Sequence, residues 1–222
     1  MPLKDVLTQL FDAEQRVRQH HAELAGAAPT ELLPLLRDVV RGGGGDDEDV
    51  AAARLSRVAA ILGDLEGPEV VDLLVDIVDG PSSEARVVAA EALVELGFDR
   101  FKEVALGVER AFDRLSAGSL ALQELPFVMA EIGEPGGVRV VSKLLSHADA
   151  EAVACAIEAL SEMGDPAAIP ALAKLEKDTR MVEIDEDSER VSIGDLALEA
   201  RSMLEELARE VEGRAGGRKA KR

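Results

Sequence analysis

Four stretches of this chain end alike, and that repetition limits the fold more than any other feature of the sequence. They are 58–63 (VAAILG), 92–97 (ALVELG), 128–133 (VMAEIG) and 159–164 (ALSEMG). Their glycines, Gly63, Gly97, Gly133 and Gly164, are spaced by 34, 36 and 31 residues. Each stands where a helix should stop, because glycine takes up the left-handed cap conformation at low cost. An acidic residue follows three of them, as Asp64, Glu134 and Asp165. Pro135 and Pro166 come directly after two of these, and Pro68 follows a little behind Asp64, as suits the first position of a new helix. Counted back from each glycine, the first, fourth, fifth, eighth and twelfth positions are apolar almost throughout. In the second stretch they are Leu96, Leu93, Ala92, Ala89 and Ala85; in the fourth, Met163, Leu160, Ala159, Ala156 and Ala152. That spacing is one face of a helix. A matching stripe runs through the helix before, as in Val70, Val71, Leu74, Ile77 and Val78, or Ile169, Leu172 and Leu175.

A helix with such a stripe cannot bury it alone, and stacking similar units side by side makes one continuous core. The expected fold is all-α, an α-α superhelix of about five helix pairs over 30–64, 65–98, 99–133, 134–164 and 165–212. Residues 1–29 supply an N-terminal capping helix, Leu3 to Leu24. Residues 1–212 then form a single solenoid domain, and 213–222 a disordered basic tail. The core is built from Leu, Val and Ala, with aromatics only 2% and neither Trp nor Tyr, which suits thin, closely stacked helices. In the fifth pair Ala208 stands where the glycine should be, and the helix runs on through Glu205, Glu206 and Glu210 with a polar outer face, as a terminal repeat requires.

Asp165-Pro166-Ala167-Ala168-Ile169-Pro170-Ala171-Leu172 resembles the start of a short bacterial HEAT repeat, the type also named for phycobilisome lyases, and 152–165 (AVACAIEALSEMGD) resembles its second helix. The resemblance covers about 30–212 and is closest over 134–177. It implies a HEAT-like α-solenoid whose second helices line a concave side and bind another protein. Tetratricopeptide repeats would show aromatic signature positions, and ankyrin repeats a Thr-Pro-Leu-His-like start; neither is present.

The formal charge of −19 repels nucleic-acid phosphates and anionic membrane surfaces and favours basic partners. Neither nucleic acid nor membrane is an expected partner. The one cysteine, Cys155, excludes an intramolecular disulfide. The charged N-terminus is not a signal peptide, so the cytoplasm is the expected compartment. Abundant Ala and an excess of Arg over Lys fit a GC-rich bacterial gene. Chemistry is thinly represented. His20 and His21 are adjacent on a helix, about 100° apart, and neither has a ligand type at the fourth residue on. His147 ends a helix. The repeated His-Glu pairs of HEAT-fold iron hydroxylases are missing, and HEAT-like DNA glycosylases would need a basic groove. Cys155 sits among Val153, Ala154 and Ala156 as a small buried residue. No catalytic residue, metal or cofactor is assigned.

Four features depart from the repeat. Residues 42–49 (GGGGDDED) make a flexible, self-repelling loop without the alternation of a calcium site. Met181–Ile184 and Arg190–Ile193 alternate apolar and polar residues around the turn 185–189 and read as a β-hairpin insert over 178–194, with Val182, Ile184, Val191 and Ile193 on one face. That face either packs on its own repeat or offers an edge to a partner. The last helix starts at Ser192 with Asp195 three residues on, like a capping box. Pro126 stands inside a second helix and should kink it; next to it, Phe127 is either a binding anchor or tucked in by the kink. Arg214, Arg218, Lys219, Lys221 and Arg222 crowd the C-terminus.

The outward positions of the second helices, two and six before each glycine, read Arg57 and Ile61, Glu91 and Glu95, Phe127 and Glu131, Glu158 and Glu162, then Ser202 and Glu206. With Arg54, this surface is basic at one end and acidic along the rest. The expected function is a non-enzymatic scaffold or adaptor, a monomer on its own. Its candidate partner-binding residues are Arg54, Arg57, Glu91, Glu95, Phe127, Glu131, Glu158 and Glu162, which would hold a basic or amphipathic segment of another protein. The hairpin residues Val182, Ile184, Val191 and Ile193 are the second candidate surface. The alternative, from family analogy, is an accessory factor to an enzyme, lyase-like or cofactor-holding.

Overall fold

The computed structural model describes residues 2–42, 47–183 and 190–219, with side chains up to Val211. Part of the acidic loop (43–46), Ile184 with the turn 185–189, and the last three residues lie outside the described residues. The helices are α1 (Leu3–Ala25), α2 (Pro29–Arg41), α3 (Glu48–Gly63), α4 (Pro68–Val78), α5 (Ser83–Arg114), α6 (Leu120–Ile132), α7 (Gly137–Leu144), α8 (Ala150–Met163), α9 (Ile169–Leu172, entered through a 3₁₀ turn at Pro166–Ala168) and α10 (Ile193–Lys219). Between α9 and α10, β1 (Met181–Val182) and β2 (Val191–Ser192) pair antiparallel, with Val182 opposite Val191.

These helices form two layers. The first helices of the pairs are α2, α4, the second arm of α5, α7, and the 3₁₀ turn with α9. The second helices are α3, the first arm of α5, α6, α8 and α10, each against the next. Between the layers runs one continuous core, in which Leu62, Leu74, Leu93, Leu122, Met129, Leu160 and Leu172 are fully buried. The architecture is the expected α-solenoid with one small hairpin. Helix α1 touches the stack at α3 and is tied there by His21 Nε2 to Asp64 Oδ2 at 2.7 Å, while its own Leu3, Leu7, Leu10 and Phe11 stay exposed. Helix α10 has helical backbone to Lys219, past residue 212 where the sequence reading ends the last repeat.

Two of the four glycines act otherwise than expected. Gly133 (φ 70°) and Gly164 (φ 64°) are left-handed caps. Gly63 is the last residue of α3, without a positive φ, and Gly97 lies inside α5. No proline follows Gly97, so the helix continues to Arg100, whose φ of −132° and ψ of 44° break it into arms 83–99 and 101–114. That break is held from outside. Arg100 donates to the Leu65 carbonyl at 2.7 Å, and Glu103 accepts from the Gly67 N–H at 2.8 Å. Gly97 is needed for closeness instead: a Cβ there would stand 2.6 Å from Cγ1 of Ile132 on α6.

Turns between layers are tied to one another in sequence. Asp79 accepts from the Ser119 hydroxyl at 2.5 Å and the Ala121 N–H at 3.3 Å. Asp149, almost fully buried, caps α8 by accepting from Glu151 N at 3.0 Å and reaches back to accept from Gly118 N at 2.8 Å. Arg180 donates to the carbonyls of His147 (2.8 Å) and Ala148 (3.1 Å). These side chains each bridge a repeat boundary, which an apolar stack alone could not specify.

Gly97→Ala should overpack the contact with Ile132 and cost about 1–3 kcal/mol, read as a lower urea midpoint. Adding Ile132→Val, which removes the nearest carbon, should recover part of that loss. Leu93→Ala, on the buried face of the same arm, should cost about 2–5 kcal/mol through the cavity it leaves.

Candidate functional site: the outer face of the second-helix layer

Charge is divided unevenly between the two layers. In the first-helix layer acids and bases meet across repeats. Arg37 pairs with Glu69; Arg110 reaches Asp72 at 2.8 Å; Arg114 and Arg41 share Asp76 at 2.6 and 3.7 Å; Lys143 and Arg139 share Glu109 at 2.7 and 3.7 Å. The second-helix layer is different. Helices α6 (LALQELPFVMAEI) and α8 (AEAVACAIEALSEM) contain no Lys, Arg or His. In the first arm of α5 the cation is Arg86, which donates to the carbonyls of Gly80 and Pro81. Glu91, Glu95, Glu131, Glu158 and Glu162 are all exposed, and among the described residues none has an ion-pair partner.

The remaining candidate residues fall out as follows. Arg54 and Arg57 are exposed on α3. Ile61, read as outward, is buried at 4% exposure. Phe127 is half-buried and packs against the core. Helix α6 runs unbroken through Pro126, whose ring is buried. In the hairpin, Val182 is buried at 1% exposure, Val191 is half-buried, and Ile193 is fully buried at the start of α10. The hairpin packs on the preceding repeat through β1 against α8 and on its own repeat through β2 against α10. Ser192 caps α10, accepting from Asp195 N at 3.1 Å while its hydroxyl donates to the Asp195 carboxylate at 2.6 Å. Arg180 grips Asp178 through both carboxylate oxygens; that hydrogen-bonded pairing holds the Asp178 carboxyl below its ordinary pKa.

At the C-terminal end of this face, the two surfaces considered separately in the sequence meet. Glu158 of α8 and Val182 of the hairpin line one cavity of about 410 Å³, closed on the far side by α10. Ile157, Ala154 and Cys155 come from α8; Leu196, Ala200 and Met203 come from α10. Sequence reading missed the α10 side, since the only signal was a small-apolar ladder at 196, 200 and 203 that looks like any other stripe. Cys155 is half-buried on the wall, not enclosed in the core as expected. Burial first, then the carboxylates of Glu158, Glu151, Glu124 and Asp149, push its thiol up to about 11. Glu124 belongs to α6 and the other three to α8 and its cap, so the thiol senses a negative field spanning two repeats.

A HEAT-repeat family model matches residues 119–183, from the cap of α6 to the hairpin's first strand. No curated protein matches the chain. Similar solved structures include an engineered protein at 21% identity, covering 85% of this chain and 88% of the other with a TM-score of 0.38. Computationally designed armadillo repeat proteins for modular peptide recognition match at 18% identity, over 86% and 92%, with a TM-score of 0.34. Another designed armadillo repeat protein matches at 16% identity, over 83% and 98%, with a TM-score of 0.33. The α8 and β1 walls of the cavity lie within the matched residues, and the α10 wall lies beyond them. Among the described residues, no helix is long and apolar enough to cross a membrane, and no group of three His, Cys, Asp or Glu is placed to hold a metal.

The raised thiol pKa has a direct readout. Neutral thiol is favoured until about pH 11, so alkylation of Cys155 in the native protein should climb about tenfold per pH unit from 7 to 10 without levelling. The unfolded chain should level off near an ordinary thiol value of about 8.5. Glu158→Gln removes one of the charges opposing the thiolate and should speed alkylation at pH 8.

Proposed function

We propose that this protein is a non-enzymatic, cytoplasmic scaffold that binds a basic or amphipathic segment of another protein along the outer face of its second-helix layer. One observation carries this reading. Glu69, Asp72, Asp76 and Glu109 of the first-helix layer meet cations of neighbouring repeats, whereas Glu91, Glu95, Glu131, Glu158 and Glu162 are exposed and, among the described residues, have no ion pair. Like charges kept together on a surface repel one another, at a cost to the folded state, and a complementary partner removes that cost. Arg54 and Arg57 at the opposite end of the same layer give the face a polarity and would fix the direction in which a segment lies.

The test is binding of a partner captured from the native host, measured with purified components. Affinity should fall as salt rises, since exposed charges are screened within about 8–10 Å at 0.1–0.15 M ionic strength. Reversing Glu95, Glu131 and Glu162 to Lys should weaken binding at least about tenfold by calorimetry. The urea midpoint should hardly move, because exposed substitutions of this kind usually cost under about 0.5 kcal/mol. Phe127→Ala should reduce both stability and binding, because the ring packs on the core, so its effect is to be compared at equal folded fraction. Unchanged affinity in the triple reversal would exclude this face.

A further inference from the structure

We propose that the cavity between α8, α10 and the hairpin is the anchor pocket of this scaffold, taking one bulky apolar side chain from a partner segment whose neighbouring residues are Lys or Arg. This inference rests on the function proposed above and adds where the segment is gripped and by what.

The pocket's chemistry is of two kinds. Its floor is apolar: Ile157 and Ala200 are buried, Leu196 is half-buried, and Met203 is 41% exposed with its thioether chain facing unfilled space. At about 410 Å³ it is the size of sites that hold a substantial ligand group. Its rim is acidic on every wall, with Glu151 and Glu158 on α8, Glu199 on α10 and Glu183 on the hairpin. Among the described residues only Glu183 of these four has an ion pair, to Arg190 at 3.6 Å. A neutral apolar ligand would cover the floor and leave the rim uncompensated. A plain polycation would satisfy the rim and leave the floor wet. A side chain such as Phe or Leu flanked by cations does both, and anionic ligands are repelled.

The chain's own basic end does not suit the pocket. Helix α10 forms one wall and then continues to Lys219. At 1.5 Å per residue, about 24 Å of helical backbone separates Met203 from Lys219. The hairpin is what makes the pocket, and it is pinned at its base. Arg180 ties it to the α7–α8 turn, Gly194 N–H donates to the Asp178 carbonyl at 2.9 Å, and Ile193 N–H donates to the Arg180 carbonyl at 2.9 Å. A wall fixed in this way keeps the cavity open without an occupant.

Cys155, the chain's single cysteine, lies on the pocket wall and reports occupancy. The probes are three fluorescein-labelled peptides: one with a Phe between two Lys-Arg pairs, one with that Phe replaced by Ser, and one with all four cations replaced by Gln. By fluorescence anisotropy the Phe peptide should bind about tenfold or more tighter than the Ser peptide. At saturation it should slow alkylation of Cys155 at pH 9. Ala154→Phe, which fills the cavity, should remove both the Phe preference and the protection while leaving the Ser peptide's affinity unchanged. Met203→Gln, which makes the floor polar without adding charge beside the rim carboxylates, should do the same if Ala154→Phe fails to fold by circular dichroism. Suppose instead that the Phe and Ser peptides bind alike and Cys155 is not protected, while the Glu95, Glu131, Glu162 reversal still abolishes binding. Then the pocket is overturned and the acidic face stands. Equal binding by the Gln peptide overturns the demand for cations, and with it the proposal. If none of the peptides binds, both the pocket and the acidic face fall.

Discussion

No helix pair in this protein can bury its own apolar stripe, and everything else in the structure follows from that. A fully buried Leu contributes about 1.5–3 kcal/mol relative to an exposed one, but Leu93, Leu122 and Leu160 reach full burial only because a neighbouring repeat lies against each. The approach must be close, because the core has few aromatics to fill distance. Ala89, Ala92, Ala156 and Ala159 provide closeness along the second helices, and Gly97 provides it where a side chain of any size would collide with Ile132. Small residues therefore set the repeat spacing, and that spacing decides which surface charges face each other.

At that spacing the first-helix layer becomes a ladder. Asp72, Asp76 and Glu109 each stand within reach of a cation one repeat further on, and Asp76 stands between Arg41 and Arg114 of two different repeats. Individually such partly exposed pairs contribute little, typically about 0–1 kcal/mol. Their larger consequence is where the uncompensated charge goes. Helices α6 and α8 carry acids and no cation, so uncompensated charge collects along them. Part of the net charge of −19 is thus gathered into a local field. Its reach is visible at Cys155, where carboxylates from two repeats act on one thiol.

The helical period, the paired layers and the hairpin were legible in the sequence because each depends on local spacing: stripes at three and four residues, alternation at two. The outward carboxylates were legible for the same reason. What spacing could not convey was tertiary. Gly97 looks like Gly133 and Gly164 from its neighbours, yet without a following proline the helix runs on, and the break falls at Arg100, whose partner Leu65 is 35 residues away. Ile61 occupies an outward register but is buried. The cavity depended on Leu196, Ala200 and Met203 meeting Ile157 and Val182, and no periodicity in either segment announces the other. Asp149 and Arg180 likewise read as an ordinary helix cap and an ordinary turn residue until their reach across the repeat boundary is seen.

The hairpin resolves a difficulty that every stack of this kind has at its end. The last first-helix, α9, is a single turn, too short to shield α10 along its length. Inserting a strand pair puts Val182 under cover against α8 and carries the chain to α10 with Ile193 buried and Ser192 capping. Beside the hairpin, a cavity of about 410 Å³ remains between α8 and α10. The seam stays open just where α8 offers glutamates and no cation. A structural remedy at the end of the stack and an unfilled acidic, apolar-floored pocket are therefore two results of the same insertion.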